Sequence, residues 1–359
     1  MKERVNLTEE QRAIVETTAS DVVVIATAAA GKTRCITERV RWLLEQGVPG
    51  DEIVVITFTN AAAEEISERL DNPVGPFIGT IHSLANTYLR RAGIDTSKLL
   101  NEEKFDELFE LIEEHHDCIP PVTHLIVDEA QDSNPLHFNF LIDLIQPKNY
   151  MLMGDHRQSI YRWNGATPEY VLNLIQNPEV TTYSLTENYR NGRIILEYAK
   201  DLIRYCGKEY EDWSKPMRGV EGNVIIRDYA PVEICKTIKR YVERGTDEYK
   251  DWFIVTRTNA QAEEMMKFLR QYKVPCDSFK KANLDSKGLK GKMNENTVKV
   301  LTIHTAKGLE AKNVVVIGAL FKNTEERCLG YVAATRAKDL LVWTNMTKHK
   351  KPKASYWGG

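Results

Sequence analysis

The chain of 359 residues is long for a single domain and comfortable for two, each with its own hydrophobic core. A composition with 42% hydrophobic and 28% charged residues excludes a largely disordered protein, and the net charge of -3 excludes no class of partner, because a basic groove can coexist with an acidic surface. The six cysteines are scattered without a CxxC pair, which argues against a zinc site. The polar N-terminus and the lack of any apolar stretch of about 20 residues predict a cytoplasmic protein.

Short apolar runs rich in β-branched residues alternate with amphipathic stretches that have helical spacing. The runs predicted as strands are 21–27, 52–58, 124–130, 150–155, 223–229, 251–257, 297–303, 313–319 and 339–345. Because these runs are apolar on both faces and separated by helices, they predict an α/β fold whose parallel sheets are covered on both sides. Such sheets place ligands at the carboxyl ends of their strands. Few strand signals occur around 160–220, so we predict two domains, 1–182 and 183–359.

The first predicted strand leads into the sequence ATAAAGKTR (26–34). This segment ends like a phosphate-binding loop, with Gly31-Lys32-Thr33, but Ala26 stands where the usual pattern opens with glycine. In such a loop, backbone N–H groups at the start of the next helix face the anion, the lysine neutralises the β- and γ-phosphates, and the threonine hydroxyl holds Mg²⁺. The alternative is a helix start that reads GKT by chance.

A second signal, an acidic pair, lies at the end of the third predicted strand, in LIVDEAQD (125–132). Adjacent carboxylates at the end of a strand suit Mg²⁺ binding by Asp128 and activation of a water molecule by Glu129. The alternative is a pair of solvated carboxylates in a turn. Together, the GKT segment and the acidic pair predict a P-loop nucleoside triphosphatase.

Further segments form an ordered series over nearly the whole chain. They are LTEEQRAIV (7–15), ATAAAGKTR (26–34), ITFTNAAAEEISERL (56–70), GTIHSL (79–84), VDEAQD (127–132), MGDHRQSIYRW (153–163), LTENYRN (185–191), LTIHTAKGLEAKNVVVIG (301–318) and YVAATRAKDLL (331–341). With this series, the chain resembles superfamily 1 DNA helicases of the UvrD/PcrA/Rep group. The resemblance implies two RecA-like parallel-sheet domains in tandem, with ATP and Mg²⁺ in the cleft between them.

The resemblance also implies which residues act on the nucleotide. The catalytic residues would be Lys32, Asp128, Glu129, Gln158, Arg190 and Arg336. The ATP-binding residues would be Gln11, Ala28, Ala29, Ala30, Gly31, Lys32, Thr33, Arg34, Tyr189, Gly308 and Glu310. Thr33 and Asp128 would hold Mg²⁺. The two arginines would come from the second domain, and an arginine supplied from outside the P-loop domain is worth about 10³–10⁵ in rate.

Single-stranded DNA is the partner that the resemblance implies. The DNA-binding residues would be Phe58, Asn60, Thr80, His82, Ser83, Tyr161, Trp163, His304 and Thr305. Bases stack on aromatic rings for about 1–3 kcal/mol each with little sequence preference, although core packing is the alternative for any one ring. The phenylalanine in TFTN is similar to that of the 3'-5' branch of the superfamily, so 3'-5' movement is expected.

These features predict an ATP-dependent translocase on single-stranded DNA, or a DNA helicase. One alternative is a DNA-stimulated motor or protein–DNA remodeller that needs a protein partner to unwind duplex. A binding module switched by nucleotide, with little turnover, has no use for a base and two arginines. A small-molecule P-loop kinase would not need the aromatic side chains.

The sequence also departs from the family pattern. Relatives usually have glycine where this chain has Thr27 and Ala29, and arginine where it has Asn164. The intervals 84–123 and 191–300 are too short for the accessory subdomains of relatives, so we expect a minimal motor core with a helix or two in the first interval. Two basic segments, a predicted loop at 280–292 and the tail at 348–353, are candidates to replace the missing material.

Overall fold

A computed structural model describes residues 6–71, 74–279, 284–318 and 322–345. The chain divides into two compact units, Met1–Thr186 and Glu187–Gly359. Each unit contains a six-stranded sheet in which all the paired strands are parallel, so the predicted α/β class is confirmed. The predicted domain boundary at 182 falls inside the last strand of the first sheet. None of the described helices is long and apolar enough to span a bilayer.

The first sheet has the strand order β3-β2-β4-β5-β1-β6. Its strands are β1 (Asp21–Ala26), β2 (Ile53–Ile56), β3 (Phe77–Gly79), β4 (His124–Val127), β5 (Asn149–Gly154) and β6 (Thr181–Leu185). The helices of this unit are α1 (Glu9–Val15), α2 (Lys32–Glu45), α3 (Asn60–Arg69), α4 (Ile81–Arg91), α5 (Ser97–Asn101), α6 (Phe105–Glu114), α7 (Pro135–Phe138) and α8 (Pro168–Ile175). A π-helical turn, Asn139–Leu144, continues α7.

Both faces of the first sheet are buried, as the apolar runs predict. On β1, Val23 packs into a cluster with Leu84 of α4 and Phe109 of α6. Its neighbours Val22 and Val24 pack into a second cluster on the opposite face, which includes residues of α2. This alternation follows from the two-residue period of a strand, and it leaves the strand ends as the places where polar side chains can converge.

The second sheet has the order β11-β12-β10-β13-β14-β9. Its strands are β9 (Asn223–Ile226), β10 (Trp252–Thr256), β11 (Cys276–Asp277), β12 (Val298–Thr302), β13 (Ala311–Ile317) and β14 (Ala337–Thr344), and a separate pair joins β7 (Glu187–Asn188) to β8 (Lys215–Pro216). The helices are α9 (Arg193–Ile203), α10 (Pro231–Glu243), α11 (Asn259–Gln271), α12 (Ser286–Asn294), α13 (Ile303–Ala306) and α14 (Thr324–Ala334).

The structure describes part of the predicted basic loop at 280–292 and all of the interval 84–123. The segment 280–292 is not a loop throughout, because α12 begins at Ser286, where the Asp285 carboxylate accepts a hydrogen bond from the N–H of Gly288 and caps the helix. Residues 280–283 and the basic tail at 348–353 lie outside the described residues. The interval 84–123 contains the rest of α4, then α5 and α6, in agreement with the short helical insert that was predicted.

Candidate functional site

The phosphate loop occupies the turn between β1 and α2. The strand ends at Ala26 and the helix begins at Lys32, with Gly31 as its N-cap in the left-handed region at φ 86°. The Gly31-Lys32-Thr33 segment therefore lies at a helix N-terminus beyond the carboxyl end of a buried strand. That is the setting in which a helix dipole and free N–H groups favour an anion.

Thr27 and Ala29, two loop positions at which the sequence departs from the family pattern, behave differently. Thr27 uses its side chain, because its hydroxyl donates a hydrogen bond to the carbonyl of Leu185 at 3.0 Å and its N–H reaches the same oxygen at 3.0 Å. Ala29 has φ 59°, a conformation that costs a residue with a Cβ about 1–2 kcal/mol. The loop thus keeps the backbone shape that glycine usually supplies and carries strain at Ala29.

Replacing Ala29 with glycine should relieve this strain. We expect Ala29→Gly to raise the free energy of unfolding by about 0.5–1 kcal/mol, after the greater flexibility of glycine in the unfolded chain is counted. Urea denaturation measures the change, with Ala30→Gly as the matched control, because Ala30 is buried and its φ is not positive. A loss of stability in Ala29→Gly as large as that in the control would contradict the strain at this position.

The acidic pair follows β4 and meets the phosphate loop. The Lys32 ammonium lies 2.6 Å from Oε1 of Glu129. Burial lowers the pKa of Lys32, but the nearby charges of Glu129, Asp128 and Asp155 outweigh it and leave the pKa above its ordinary value. Lys32 is therefore a cation, and it faces carboxylate oxygens.

Glu129 is held in an unusual backbone conformation. Its φ is 53°, in the left-handed region, and its N–H donates to the Asp128 carboxylate at 3.0 Å. A glutamate in this region costs about 1–2 kcal/mol and persists only where the surroundings enforce it, which is typical of functional sites. Asp128 and Thr33 follow the carboxyl ends of β4 and β1, and their side-chain oxygen atoms are of the kind that suits Mg²⁺ bound together with phosphates. Among the described residues, no group of three or more His, Cys, Asp or Glu side chains forms a closed metal site.

Gln158, the predicted γ-phosphate contact, belongs to a buried polar group after β5. Its amide donates to Oδ2 of Asp155 at 2.8 Å, while Arg157 pairs with Oδ1 at 2.6 Å. Burial raises the pKa of Asp155, but the charges of Arg157 and His156 and the hydrogen bonds from Gln158 and Arg157 outweigh burial. The pKa is therefore below its ordinary value, and the carboxyl group is ionised. Asp155 was not among the predicted site residues, although it follows β5 directly, as Asp128 follows β4.

Gln11 and Arg34 also lie at the loop. Gln11 is buried at the start of α1 and completes a capping box with Thr8. Its amide Nε2 would be 2.9 Å from a Cβ at Gly31, so only glycine fits there without moving Gln11. Arg34 donates from Nη2 to the carbonyl of Asn6 at 2.9 Å.

Three of the predicted DNA-binding aromatic residues form one group, which we call the aromatic group: Phe58, Tyr161 and Trp163. The rings of Phe58 and Tyr161 are stacked with centroids 5.1 Å apart, and Trp163 lies 6.4 Å from Tyr161. Phe58 is 43% exposed and Trp163 is 69% exposed, which excludes core packing as the reason for these two side chains. Such a surface can stack with bases.

Among the other DNA-binding candidates of the first unit, Thr80 and Ser83 form hydrogen bonds at the start of α4. The Thr80 hydroxyl caps α4 and Ser83 donates to the Thr80 carbonyl at 2.7 Å, while Asn60 is exposed at the start of α3. His82 is not part of the aromatic group. It packs on Phe105 of α6 with ring centroids 4.2 Å apart, and burial lowers the pKa of its imidazole.

In the second unit, Arg190 and Glu310 form an ion pair through Nε and Oε2. Lys338 lies 2.6 Å from the other carboxylate oxygen of Glu310. Burial raises the pKa of Glu310, but these two cations outweigh it and hold the pKa at about 2. Tyr189, the predicted adenine contact, is 45% exposed, and its hydroxyl donates to Glu187 at 2.7 Å.

Arg336 differs from Arg190 in burial, because it is only 2% exposed. Its guanidinium donates to the carbonyls of Val332 at 2.8 Å and Leu309 at 3.3 Å and to the Thr335 hydroxyl at 2.9 Å. The remaining predicted residues, His304, Thr305 and Gly308, are in α13 or just after it, beyond the carboxyl end of β12.

Comparison with known protein families matches most of the first unit and part of the second. Residues 7–119 and 104–179 match the UvrD/REP helicase N-terminal domain, and residues 297–343 match the UvrD-like helicase C-terminal domain. The ATP-dependent DNA helicase PcrA of Staphylococcus aureus strain Mu50 is 26% identical over 72% of this chain and 48% of its own length. PcrA of Staphylococcus epidermidis strain ATCC 12228 is 25% identical over 75% of this chain and 50% of its own length. The chain thus spans about half the length of the curated relatives it matches.

Proposed function

Because this chain belongs to the UvrD/PcrA/Rep group of superfamily 1 helicases, we propose that it hydrolyses ATP to move along single-stranded DNA in the 3'-5' direction. The observation that carries the proposal is the pairing of Lys32 with Glu129 at 2.6 Å, beside Asp128. These residues come from distant parts of the sequence, and they are the side chains that phosphate binding and water activation require.

In this proposal Lys32 leaves Glu129 and binds the β- and γ-phosphates, as the phosphate-loop lysine does. Glu129 then loses its cationic partner, which makes its carboxylate a better proton acceptor for the attacking water. Mg²⁺ held by Asp128 and Thr33 would neutralise charge on the phosphates. The backbone N–H groups of residues 28–33 would hold the phosphate oxygens, and Gln158 would contact the γ-phosphate.

The second unit would supply arginines to the same nucleotide. Arg190 is the stronger candidate, because its ion-pair partner Glu310 is a carboxylate that a phosphate can replace, although its Nη1 also donates to the Thr335 carbonyl. Arg336 is 2% exposed and donates to two backbone carbonyls and to the Thr335 hydroxyl. Tyr189 would stack with the adenine, with Gln11 on its polar edge. Glu310 and Gly308 would lie near the nucleotide after the ion pair between Arg190 and Glu310 breaks.

The aromatic group would bind successive bases of the DNA strand. We expect Trp163→Ala to weaken binding of single-stranded DNA by about 1–3 kcal/mol without unfolding the protein, because the ring is largely exposed. Fluorescence anisotropy with a labelled oligonucleotide measures this change. The matched control is Trp213→Ala, which removes an exposed tryptophan of the second unit. Equal affinity in the Trp163 variant and the wild type would exclude the stacking role.

Steady-state ATP hydrolysis tests the function as a whole. The rate is measured without nucleic acid, with single-stranded DNA and with blunt duplex, each at two salt concentrations. Stimulation by the single strand alone, which falls as salt rises, is the expected result. Equal rates in all three conditions would contradict it.

A second candidate is a motor that needs a protein partner to unwind duplex. It is favoured by the short insert between α4 and β4, where α5 has only 5 residues and α6 only 10. Strand displacement from a 3'-tailed duplex separates the two. A strand-stimulated ATPase that fails to displace the complementary strand supports the partner-dependent motor.

A further inference from the structure

The side chain of Gln131 joins the two polar groups of the first unit. Its amide nitrogen donates to Oε2 of Glu129 at 2.5 Å, on the carboxylate oxygen that Lys32 does not contact. Its amide oxygen accepts the N–H of Asp155 at 2.9 Å. Gln131 is fully buried, so water does not compete for these bonds.

The backbone around Gln131 is shaped to keep this arrangement. A Cβ at Gly154 would lie 2.3 Å from the amide oxygen of Gln131, so any larger residue would displace the side chain. The hydroxyl of Ser159 donates to the Gln131 carbonyl at 3.3 Å. Gln131 is therefore bound at three atoms, by Glu129 on one side and by the segment 155–159 on the other.

The segment 155–159 links residues that are proposed to contact ATP with residues that are proposed to contact DNA. It contains Gln158, and it leads directly to Tyr161 and Trp163 of the aromatic group. A shift of this segment on stacking of a base would move the Asp155 N–H, which is bonded to the amide oxygen of Gln131, and the Ser159 hydroxyl, which is bonded to its backbone carbonyl. The shift would therefore reach the amide that contacts Glu129.

The chemical character of Gln131 suits such a task. A neutral amide fixes the direction of the Glu129 carboxylate through a hydrogen bond and adds no charge beside it. When Lys32 turns to the phosphates, the amide of Gln131 still holds Oε2. The carboxylate can then keep its orientation.

We propose that Gln131 is a positioning residue that aims the Glu129 carboxylate at the attacking water when single-stranded DNA occupies the aromatic group. This inference rests on the proposed function. It predicts that the stimulation ratio, the kcat with single-stranded DNA divided by the kcat without it, depends on the amide of Gln131.

The test compares Gln131→Met and Gln131→Glu with the wild type. The first removes both amide bonds with little change in size, and the second keeps the acceptor for Asp155 but places a carboxylate against Glu129. Misplacing a catalytic group by about 1 Å costs roughly 10²-fold, so we expect the stimulation ratio to fall by about that factor in both variants. The affinities for a non-hydrolysable ATP analogue and for the oligonucleotide should stay close to wild type. Gln176→Glu makes the same chemical change at an exposed position after α8.

The outcomes distinguish a failure of the role proposed for Gln131 from a failure of the proposed function. A purely structural role for Gln131 would lower both rates by the same factor and leave the stimulation ratio unchanged, which would overturn the inference. Wild-type ratios in both folded variants would overturn it as well. A wild-type protein whose rate does not respond to single-stranded DNA would instead overturn the proposed function, and this inference with it.

Discussion

The variant Glu129→Gln should bind ATP and almost fail to hydrolyse it. The amide cannot accept the proton of the attacking water, and the loss of a general base lowers kcat by about 10²–10⁴-fold. Nucleotide affinity should not fall, because Lys32 no longer has to leave a carboxylate 2.6 Å away before it meets the phosphates. Single-turnover hydrolysis and titration with a fluorescent ATP analogue measure the two effects separately.

Glu65→Gln is the matched control for this variant. It also removes a carboxylate that faces a cation, since Glu65 pairs with Arg69 at 2.6 Å on α3, but both side chains there are well exposed. It should leave kcat and ATP affinity unchanged. A Glu129→Gln variant with more than a small fraction of wild-type turnover would show that another group activates the water.

The variant Arg190→Ala should lose even more activity. An arginine that stabilises the charge on the transferred phosphate is worth about 10³–10⁵ in rate. Arg190→Lys should recover only part of this loss, because an ammonium lacks the planar, bidentate geometry of a guanidinium. The rate of strand-stimulated hydrolysis at saturating ATP measures both variants.

Arg193→Ala provides the control, because Arg193 lies three residues away and pairs with Glu221 in an exposed position. It should hydrolyse ATP at the wild-type rate. If Arg190→Ala keeps its activity while Arg336→Ala loses it, the roles assigned to the two arginines must be exchanged.

The strand pattern was readable from the sequence where strands are apolar on both faces. All nine predicted strands are present, and runs such as the one at β10 are buried along their whole length, whereas the edge strand β9 is partly exposed. Strand β6 was not predicted because its sequence TTYSL is polar and partly exposed at the sheet edge. Strands β7, β8 and β11 have two residues each and β3 has three, which is too short for a periodic signal.

The site was predictable in its charged residues and less so in the neutral ones that hold them. Lys32 and Glu129 were predicted from motifs and are in contact. Gln131 carries no charge and no distinctive spacing, so its role depends on its contacts with Glu129 and Asp155, which only the folded chain supplies. His82 shows the converse, because its packing partner Phe105 is on α6, and no local pattern indicates which face of α4 that helix covers.

Thr27 has a mechanical consequence. Its hydroxyl and N–H both bind the last carbonyl of β6, at Leu185, one residue before the first unit ends. That next residue, Thr186, donates two hydrogen bonds to the carboxylate of Glu10 on α1, the helix that also carries Gln11. The residues that lead on to the second unit are therefore hydrogen-bonded to the phosphate loop and to α1 at once. A displacement of this connection would act on both elements through these bonds.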